Sequence, residues 1–264
     1  MVDTLILSDV HLGAEVSRAR DAVQMLRQQC FRRLILLGDI FADLNFGRLK
    51  KEHWQFLSFI RKLSNPKRGV EVVWVEGNHD AGLTQVMSHL VGVDVYQEFS
   101  WEYAGRKHLA VHGHQFDQFV INNVRLSHLG TLVYLQLQKL DFKNKPFARL
   151  IDRANTHWSR LSSKVAKGAL AHARMKGAER VFCGHTHEAM ECEDHGICYY
   201  NSGSWTDARP TYVTIGDEGV RIHEYTGTDD RDSGEERSEA DPSLAGIADE
   251  AGLLEDAGYA GVGR

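Results

Sequence analysis

Side-chain types that bind divalent metals recur in this 264-residue chain as five short motifs. Carboxylate, amide and imidazole groups supply the oxygen and nitrogen ligands that such ions accept. One motif of this kind is usually only a turn or a loop, but five in one chain indicate a shared metal site. The motifs are Asp9-Val10-His11, Gly38-Asp39, Gly77-Asn78-His79-Asp80, His112-Gly113-His114 and Gly184-His185-Thr186-His187.

The side chains in these motifs indicate which metal ions could bind and which reaction they could support. The ligand set combines oxygen with imidazole and contains no thiolate, which favours Mn, Fe, Zn, Co or Ni over Ca and leaves the choice among the five open. Asp39 has two carboxylate oxygens and can bridge two ions. Two ions about 3.5–4 Å apart clamp the attacking and leaving oxygens of an in-line displacement. We therefore expect two divalent ions, with Mn as the first metal to test.

Short strands are predicted to position the motifs. Apolar runs indicate buried strands at residues 4–8, 34–37, 70–75 and 181–183, and a motif follows each of them. The remaining predicted elements are hairpins at 101–111, 190–201 and 211–225 and helices at 14–30 and 52–63. Strands that alternate with helices indicate layered sheets covered by helices. Ligands of open α/β sheets bind at the carboxyl ends of the strands, which is where these motifs lie.

In this order the five motifs resemble those of the calcineurin-like metallophosphoesterase superfamily, over residues 4–225. The resemblance implies an α/β fold, namely a four-layer α/β/β/α sandwich of two mixed sheets. It also implies that a metal-bridging water or hydroxide attacks phosphorus, with Asp39 and His79 as catalytic residues and Asn78 close to the substrate. The implied metal ligands are Asp9, His11 and His187 for one ion, Asn78, His112 and His185 for the other, and Asp39 for both.

The same resemblance directs attention to the surroundings of His79, which is expected to hydrogen-bond the substrate and protonate the leaving group. Many relatives orient this histidine with a carboxylate three residues after the bridging aspartate, but Ala42 stands at that position here. Asp43 is the next residue and is the candidate substitute. Asp80 and His114 lie beside ligands in the sequence, and each is either a support for a ligand or purely structural.

A basic insertion, residues 117–178, separates the last two motifs and has a net charge of +8. Its apolar stretches at 126–129 and 132–137 have helical spacing. It is either a helical pair with a solvated basic face or a lid, whose apolar side accepts acyl chains and whose basic side meets phosphate or an anionic membrane. Residues 1–227 are predicted to form one phosphoesterase domain that contains this lid. Residues 228–264, with a net charge of −8, are predicted to be a disordered tail.

Further segments resemble the UDP-2,3-diacylglucosamine pyrophosphohydrolase group. They are His112–Asp117, the basic insertion and Asn201–Trp205. This resemblance implies hydrolysis of the pyrophosphate in a nucleotide-linked lipid sugar during lipid A biosynthesis. Lys164 and Lys167 lie in a stretch similar to the segment with which that group contacts sugar and phosphate. Both lysines are therefore predicted to bind anionic parts of the substrate.

Other substrates within the superfamily stay open. A soluble phosphodiesterase or nuclease would bind nucleic acid with the basic lid. Residues 126–161 contain four aromatic side chains, whereas single-strand binders combine stacked aromatics with positive charge, so we rank nucleic acid lower. A phosphomonoesterase and a non-catalytic scaffold are further alternatives, although a scaffold is expected to have lost ligands.

The sequence favours a cytoplasmic protein that the basic lid could hold on the cytosolic face of the inner membrane. Its first residues lack the basic and apolar regions of a signal peptide, and no run of about 18 apolar residues predicts a membrane-spanning helix. Four cysteines without a CxxC pair are expected to be reduced and mostly buried. They are Cys30, Cys183, Cys192 and Cys198.

Overall fold

Two mixed β-sheets form the centre of the fold, which this computed structural model describes for residues 2–82, 84–117 and 148–227. The strands of the first sheet are β1 (Val2–Leu7), β2 (Phe31–Leu37), β3 (Glu71–Val75), β4 (Val95–Tyr96), β10 (Thr211–Gly216) and β11 (Gly219–Glu224). Their spatial order is β11-β10-β1-β2-β3-β4. Strands β1 to β4 are parallel, whereas β10 is antiparallel to both of its neighbours.

The second sheet has the spatial order β5-β6-β7-β9-β8. Its strands are β5 (Glu98–Tyr103), β6 (Arg106–Val111), β7 (Arg180–Cys183), β8 (Met190–Asp194) and β9 (Ile197–Asn201). The three central strands β6, β7 and β9 are parallel, and the two edge strands run antiparallel to them.

Helices cover the outer faces of both sheets. They are α1 (Ala19–Gln28), α2 (Lys51–Leu63), α3 (Thr84–Val91) and α4 (Ala148–Lys176). Short 3-10 turns lie at Phe46–Arg48, Pro66–Arg68 and His114–Phe116. Among the helices in the described ranges, none is both long enough and apolar enough to cross a bilayer.

Alternating side chains of the strands build three cores. Successive residues of a strand point to opposite faces, so Leu5 of β1 joins a cluster with Met25 of α1 and Phe56 of α2. Its neighbour Ile6 instead packs between the sheets, in a cluster that includes Phe182 of β7.

The third core lies on the outer face of the second sheet. There Leu109 and Val181 pack against Ala166, Ala169 and Ala173 of α4. The layers are therefore helix, sheet, sheet and helix, which confirms the predicted α/β/β/α sandwich. The predicted helical lid is not confirmed, because residues 118–147 lie outside the described part of the chain.

Several predicted elements need correction. The helix predicted at 14–30 begins only at Ala19, because the backbone N–H of Arg18 donates to the carbonyl of Trp205 and the residues before it form turns. Helix α3 and the two-residue strand β4 were not predicted. The cysteines are free as expected, but Cys183 alone is buried, while Cys30 is exposed and the others are half-buried.

His108, between the sheets, is a buried histidine that the fold keeps neutral. Its ring stacks on Trp101 with centroids 5.1 Å apart, and its Nδ1 lies 2.9 Å from the carbonyl oxygen of Arg106. Burial lowers the pKa of His108 to about 4, although the bond to Arg106 partly offsets this effect.

The free energy of unfolding is expected to fall as the pH drops from about 6.5 toward 4, because the unfolded chain takes up a proton at His108 before the folded chain does. His108 contributes on the order of 3 kcal/mol to this loss over the full window. Denaturant titrations at pH 7, 5.5 and 4.5, in chelator, should give a shallower pH dependence for His108→Gln than for the wild type. The exposed His195→Gln is the control, and equal slopes for all three proteins would refute the assignment.

Candidate metal centre

Six of the seven predicted ligands converge, together with His79, at the carboxyl ends of the strands. Ligand atoms within 4.8 Å of one another form three overlapping groups. The groups are Asp9 with His11 and His187, His11 with Asp39 and His79, and Asp39 with His112 and His185. Asn78 precedes His79, whose backbone N–H donates to Asp39 Oδ1 over 2.9 Å, so the backbone next to Asn78 lies at the centre.

The backbone of this centre is unusual. Five of the predicted ligands have a positive φ, between 49° and 69°, a region that non-glycine residues rarely adopt. They are Asp9, His11, Asp39, His185 and His187. Among the described residues, the other non-glycine positions with positive φ are Ala104 and His195, both in hairpin turns. Strained backbone of this kind is concentrated at functional sites, where the surrounding structure enforces it.

Hydrogen bonds between loops hold the strained residues in place. The backbone N–H groups of Asp9 and His11 donate to the carbonyls of Gly38 and Asp39, over 3.0 and 3.1 Å. The N–H of His185 donates to Asp9 Oδ2 over 3.1 Å. The ends of β1, β2 and β7 are therefore tied to one another directly at the ligands.

Close backbone approach requires the glycines of the motifs. A Cβ atom on Gly77 would lie 2.2 Å from both the N and Oδ1 atoms of Asp39, and one on Gly38 would lie 2.4 Å from the ring of His112. Glycine has no Cβ, so the backbone can approach this closely at both positions.

Three buried atoms at the centre have no hydrogen-bond partner within the described part of the chain. They are Asp9 Oδ1, Asn78 Oδ1 and His112 Nε2. Leaving a buried polar atom unsatisfied costs about 1–3 kcal/mol, yet all three belong to predicted ligands. His187 Nε2 and His112 Nε2 lie 3.2 and 3.5 Å from Asp9 Oδ1. Carboxylate and imidazole atoms that lie this close together, with hydrogen-bonding capacity left unused, fit a cation, so the residues present fit the metals that the sequence implies.

The charges at the centre also fit cations. Burial acts to raise the pKa of Asp39, but the charges of His79, His112 and His11 outweigh it and lower the pKa to about 2. Burial acts in the opposite sense on His112, where the carboxylates of Asp39 and Asp9 prevail and raise the pKa to about 9. Without bound metal, a proton on His112 thus compensates the carboxylates, and an ion that binds there must displace it.

The candidate partner of His79 was predicted wrongly. Its Nδ1 lies 2.7 Å from the carbonyl oxygen of Ala42. A carbonyl only accepts, so Nδ1 carries the proton and Nε2 faces Asp39 Oδ2 at 3.8 Å. Asp43 instead forms an ion pair with Arg48 over 2.6 Å. A backbone carbonyl thus contacts His79 where the sequence predicted a carboxylate.

Asp80 holds the backbone segment that follows Asp39. Its buried carboxylate accepts hydrogen bonds from the backbone N–H groups of Ile40 and Phe41, over 3.0 and 2.9 Å. Burial, followed by the charge of Asp39, raises the pKa of Asp80 to about 7. Of the two roles left open by the sequence, the structure thus shows a support, because Asp80 fixes the backbone directly after Asp39.

Sequence reasoning missed several contacts around the histidine ligands. Asp117 Oδ2 lies 3.2 Å from His185 Nε2, and Asp207 lies close enough to His187 for their charges to interact. The side-chain amide of Asn201 donates to the carbonyl of Gly184 over 2.7 Å. Only Asp117 and Asn201 belonged to segments that the sequence had singled out, and neither had been given this role.

The predicted substrate lysines lie on α4, outside the ligand clusters. Both Lys164 and Lys167 are exposed. Between them, Val165 faces the centre, since its Cγ1 would lie 3.1 Å from a Cβ on Gly113. The lysines are thus on the helix that adjoins the centre, and their contact with a substrate stays a prediction.

Residues 2–217 match the calcineurin-like phosphoesterase superfamily domain, and the chain belongs to this superfamily. Membership defines the class, a phosphoesterase whose relatives typically bind divalent metals. No curated protein matches the chain significantly. The more specific prediction, the UDP-2,3-diacylglucosamine pyrophosphohydrolase group, is not confirmed.

Solved structures of low sequence identity are also similar to the chain. A novel archaeal phosphodiesterase is 15% identical, with 84% of this chain and 99% of that chain covered and a TM-score of 0.46. Yfce, a phosphoesterase from E. coli, is 14% identical, with coverages of 82% and 90% and a TM-score of 0.47. Wild-type Vps29 complexed with zinc, from Entamoeba histolytica, is 14% identical, with coverages of 84% and 97% and a TM-score of 0.41.

Proposed function

We propose that this chain is a two-metal hydrolase of phosphoric esters or anhydrides. The ligands are Asp9, His11 and His187 for one ion, Asn78, His112 and His185 for the other, and Asp39 for both. The observation that carries the proposal is the convergence of six ligand side chains in overlapping groups, together with three buried ligand atoms that have no hydrogen-bond partner among the described residues.

The protein's own groups complete the reaction. Bound divalent ions polarise phosphoryl oxygens and lower the pKa of water. Asp39 lies between the two sets of ligands. Because its carboxylate is shared, both ligand sets would act on the same phosphoryl group. His79 is fixed through Nδ1, so its Nε2, when protonated, can donate to a substrate oxygen and then to the leaving group.

The proposed substrate is the pyrophosphate of a nucleotide-linked lipid sugar such as UDP-2,3-diacylglucosamine. The basic insertion supports this choice, because its exposed Lys164 and Lys167 lie on the helix that packs beside the His112–Asp117 segment. The same positive charge could bring the protein to an anionic membrane surface. A phosphodiesterase or nuclease with this centre is the alternative.

Substrate preference distinguishes these alternatives. The Mn-loaded protein should be assayed on a UDP-linked diacyl sugar, a bis-aryl phosphodiester and single-stranded DNA, with a chelated sample as the control. Turnover of the lipid substrate at least about 10²-fold above the other two supports the proposal. Preferential cleavage of DNA would support a nuclease instead.

His79→Gln is expected to lower kcat by about 10²–10⁴-fold, because general acid catalysis typically contributes this much. Metal content should stay at the wild-type level, since His79 is not proposed as a ligand. The loss should shrink for a substrate with a good leaving group, such as a nitrophenyl ester, which needs no proton. His89→Gln, at an exposed position on α3, is the control. An equal loss for good and poor leaving groups would contradict the role as a proton donor.

Lys164→Ala is expected to raise KM for the lipid substrate by about tenfold or more, because a hydrogen bond to a charged group contributes about 1.5–3 kcal/mol. The metal content and the turnover of a small aryl phosphodiester should not change. Lys62→Ala, an exposed lysine of α2, serves as the control. An unchanged KM would remove Lys164 from the substrate site.

A further inference from the structure

One short segment holds both imidazoles of a single proposed metal position. It consists of the 3-10 turn His114–Phe116 and the next residue, Asp117, and we call it the support turn. His114 Nδ1 lies 3.1 Å from His112 Nδ1. Asp117 Oδ2 lies 3.2 Å from His185 Nε2, and the Asp117 side chain is almost fully buried.

These contacts leave one nitrogen of each ligand for the ion. His185 donates from Nε2 to the carboxylate, so its Nδ1 lone pair remains. His112 uses Nδ1 for His114, and its buried Nε2 is the atom without a hydrogen-bond partner among the described residues. A partner on the second nitrogen fixes the tautomer and ring orientation of a ligand and raises its basicity.

Helix α4 packs directly against the support turn. A Cβ on Gly168 would lie 2.7 Å from Phe116 Cβ, so there is no room for even a methyl group between helix and turn. The Phe116 ring also lies 5.7 Å from the ring of His172, whose Nε2 contacts Glu98 of β5 over 2.7 Å. The helix is thereby fixed to the sheet on one side and to the turn on the other.

We propose that Asp117 and His114 are positioning residues, through which the seating of α4 sets the affinity of the metal position formed by Asn78, His112 and His185. The inference rests on the two-metal function proposed above. It adds a direct connection from the insertion helix to one of the two ions, while the ligands Asp9, His11 and His187 belong to the other.

Metal titration tests the proposal without relying on activity. Mn²⁺ binding to the full-length chain should be measured by calorimetry, with the ion content verified by mass spectrometry. In Asp117→Ala one of the two affinities should fall by about 10–100-fold, the usual effect of losing such a partner, and the other should not change. Asp117→Asn keeps an acceptor oxygen and loses the charge, so its effect should be smaller. Asp194→Asn, in an exposed pair with Arg174, is the control.

Gly168→Ala tests the connection to the helix. The added methyl group must displace Phe116, so the same metal affinity should fall as in Asp117→Ala, whereas Ser163→Ala on the exposed side of α4 should have no effect. Thermal melts in chelator verify that each variant is folded. Unchanged affinities, or an equal loss at both positions, would overturn the proposal. A wild-type protein that binds fewer than two ions would instead overturn the two-metal function itself.

Discussion

Asp39→Ala is expected to remove both metal ions and to lower kcat/KM by at least about 10⁴-fold. Asp39 is the acid that joins His11 in one ligand group and His112 and His185 in another. Its Oδ2 lies 3.7 Å from His112 Nε2, and its Oδ1 accepts the N–H of His79. Loss of this carboxylate removes a ligand from both ions at once, and with them several kcal/mol of transition-state stabilisation.

Metal analysis of the purified variant, together with its kinetics, tests this expectation. Asp43→Ala is the matched control, because it removes a nearby carboxylate that pairs with Arg48 rather than with the centre. Asp39→Asn tests the role of the negative charge alone, because the asparagine has nearly the same shape and its amide oxygen can still accept the His79 N–H. This variant should also lose both metal ions. A variant of Asp39 that retains two ions would show that this residue does not bridge them.

Gly184→Ala is expected to lose metal binding and at least about 10³-fold in activity, although it adds only one methyl group to a residue that is neither a proposed ligand nor a proposed substrate contact. A Cβ at this position would lie 2.4 Å from Asp9 Oδ2 and 2.5 Å from Ser8 Oγ. The collision must move Asp9 or the strand exit that carries His185. Overpacking of this kind typically costs about 1–3 kcal/mol of stability.

Gly227→Ala is the control for Gly184→Ala, because a Cβ there would meet its nearest atom, in Tyr225, at an ordinary 3.6 Å. Ion content, turnover and the melting temperature should be measured for both variants. Full metal occupancy in Gly184→Ala would contradict this prediction. It would show that the backbone around Gly184 and Asp9 can shift to accept a methyl group without loss of the metal ligands.

The sequence predicted the layers and the convergence of the ligands because both depend on strong local patterns. Continuous apolar runs defined the buried strands, and each motif followed a strand end. The partner of His79 was predicted wrongly because it is a backbone carbonyl, that of Ala42. Every residue has such a carbonyl, so the amino-acid types do not indicate which one accepts a hydrogen bond. The contact of Asp117 with His185 joins residues 68 positions apart, and such a pairing depends on how two loops pack.

Helix α3 and strand β4 were missed for a different reason. Strand β4 has two residues, Val95 and Tyr96, which is too short for alternation to show. Helix α3 has eight residues, about two turns, so its apolar spacing repeats only about twice. Tertiary contacts with the first sheet, such as those of Met87, rather than local preference then decide the structure.

The left-handed backbone at five ligands has a thermodynamic consequence. Each such residue costs roughly 1–2 kcal/mol, so the five together remove on the order of 5 kcal/mol or more, comparable with the whole net stability of many domains. Ions bound at the proposed positions would favour the folded chain by mass action and would thereby offset a deficit that the site itself creates. A homologue that no longer needed them would gain stability by placing glycine or asparagine at these positions, and such replacements in a related sequence would mark a centre that has fallen out of use.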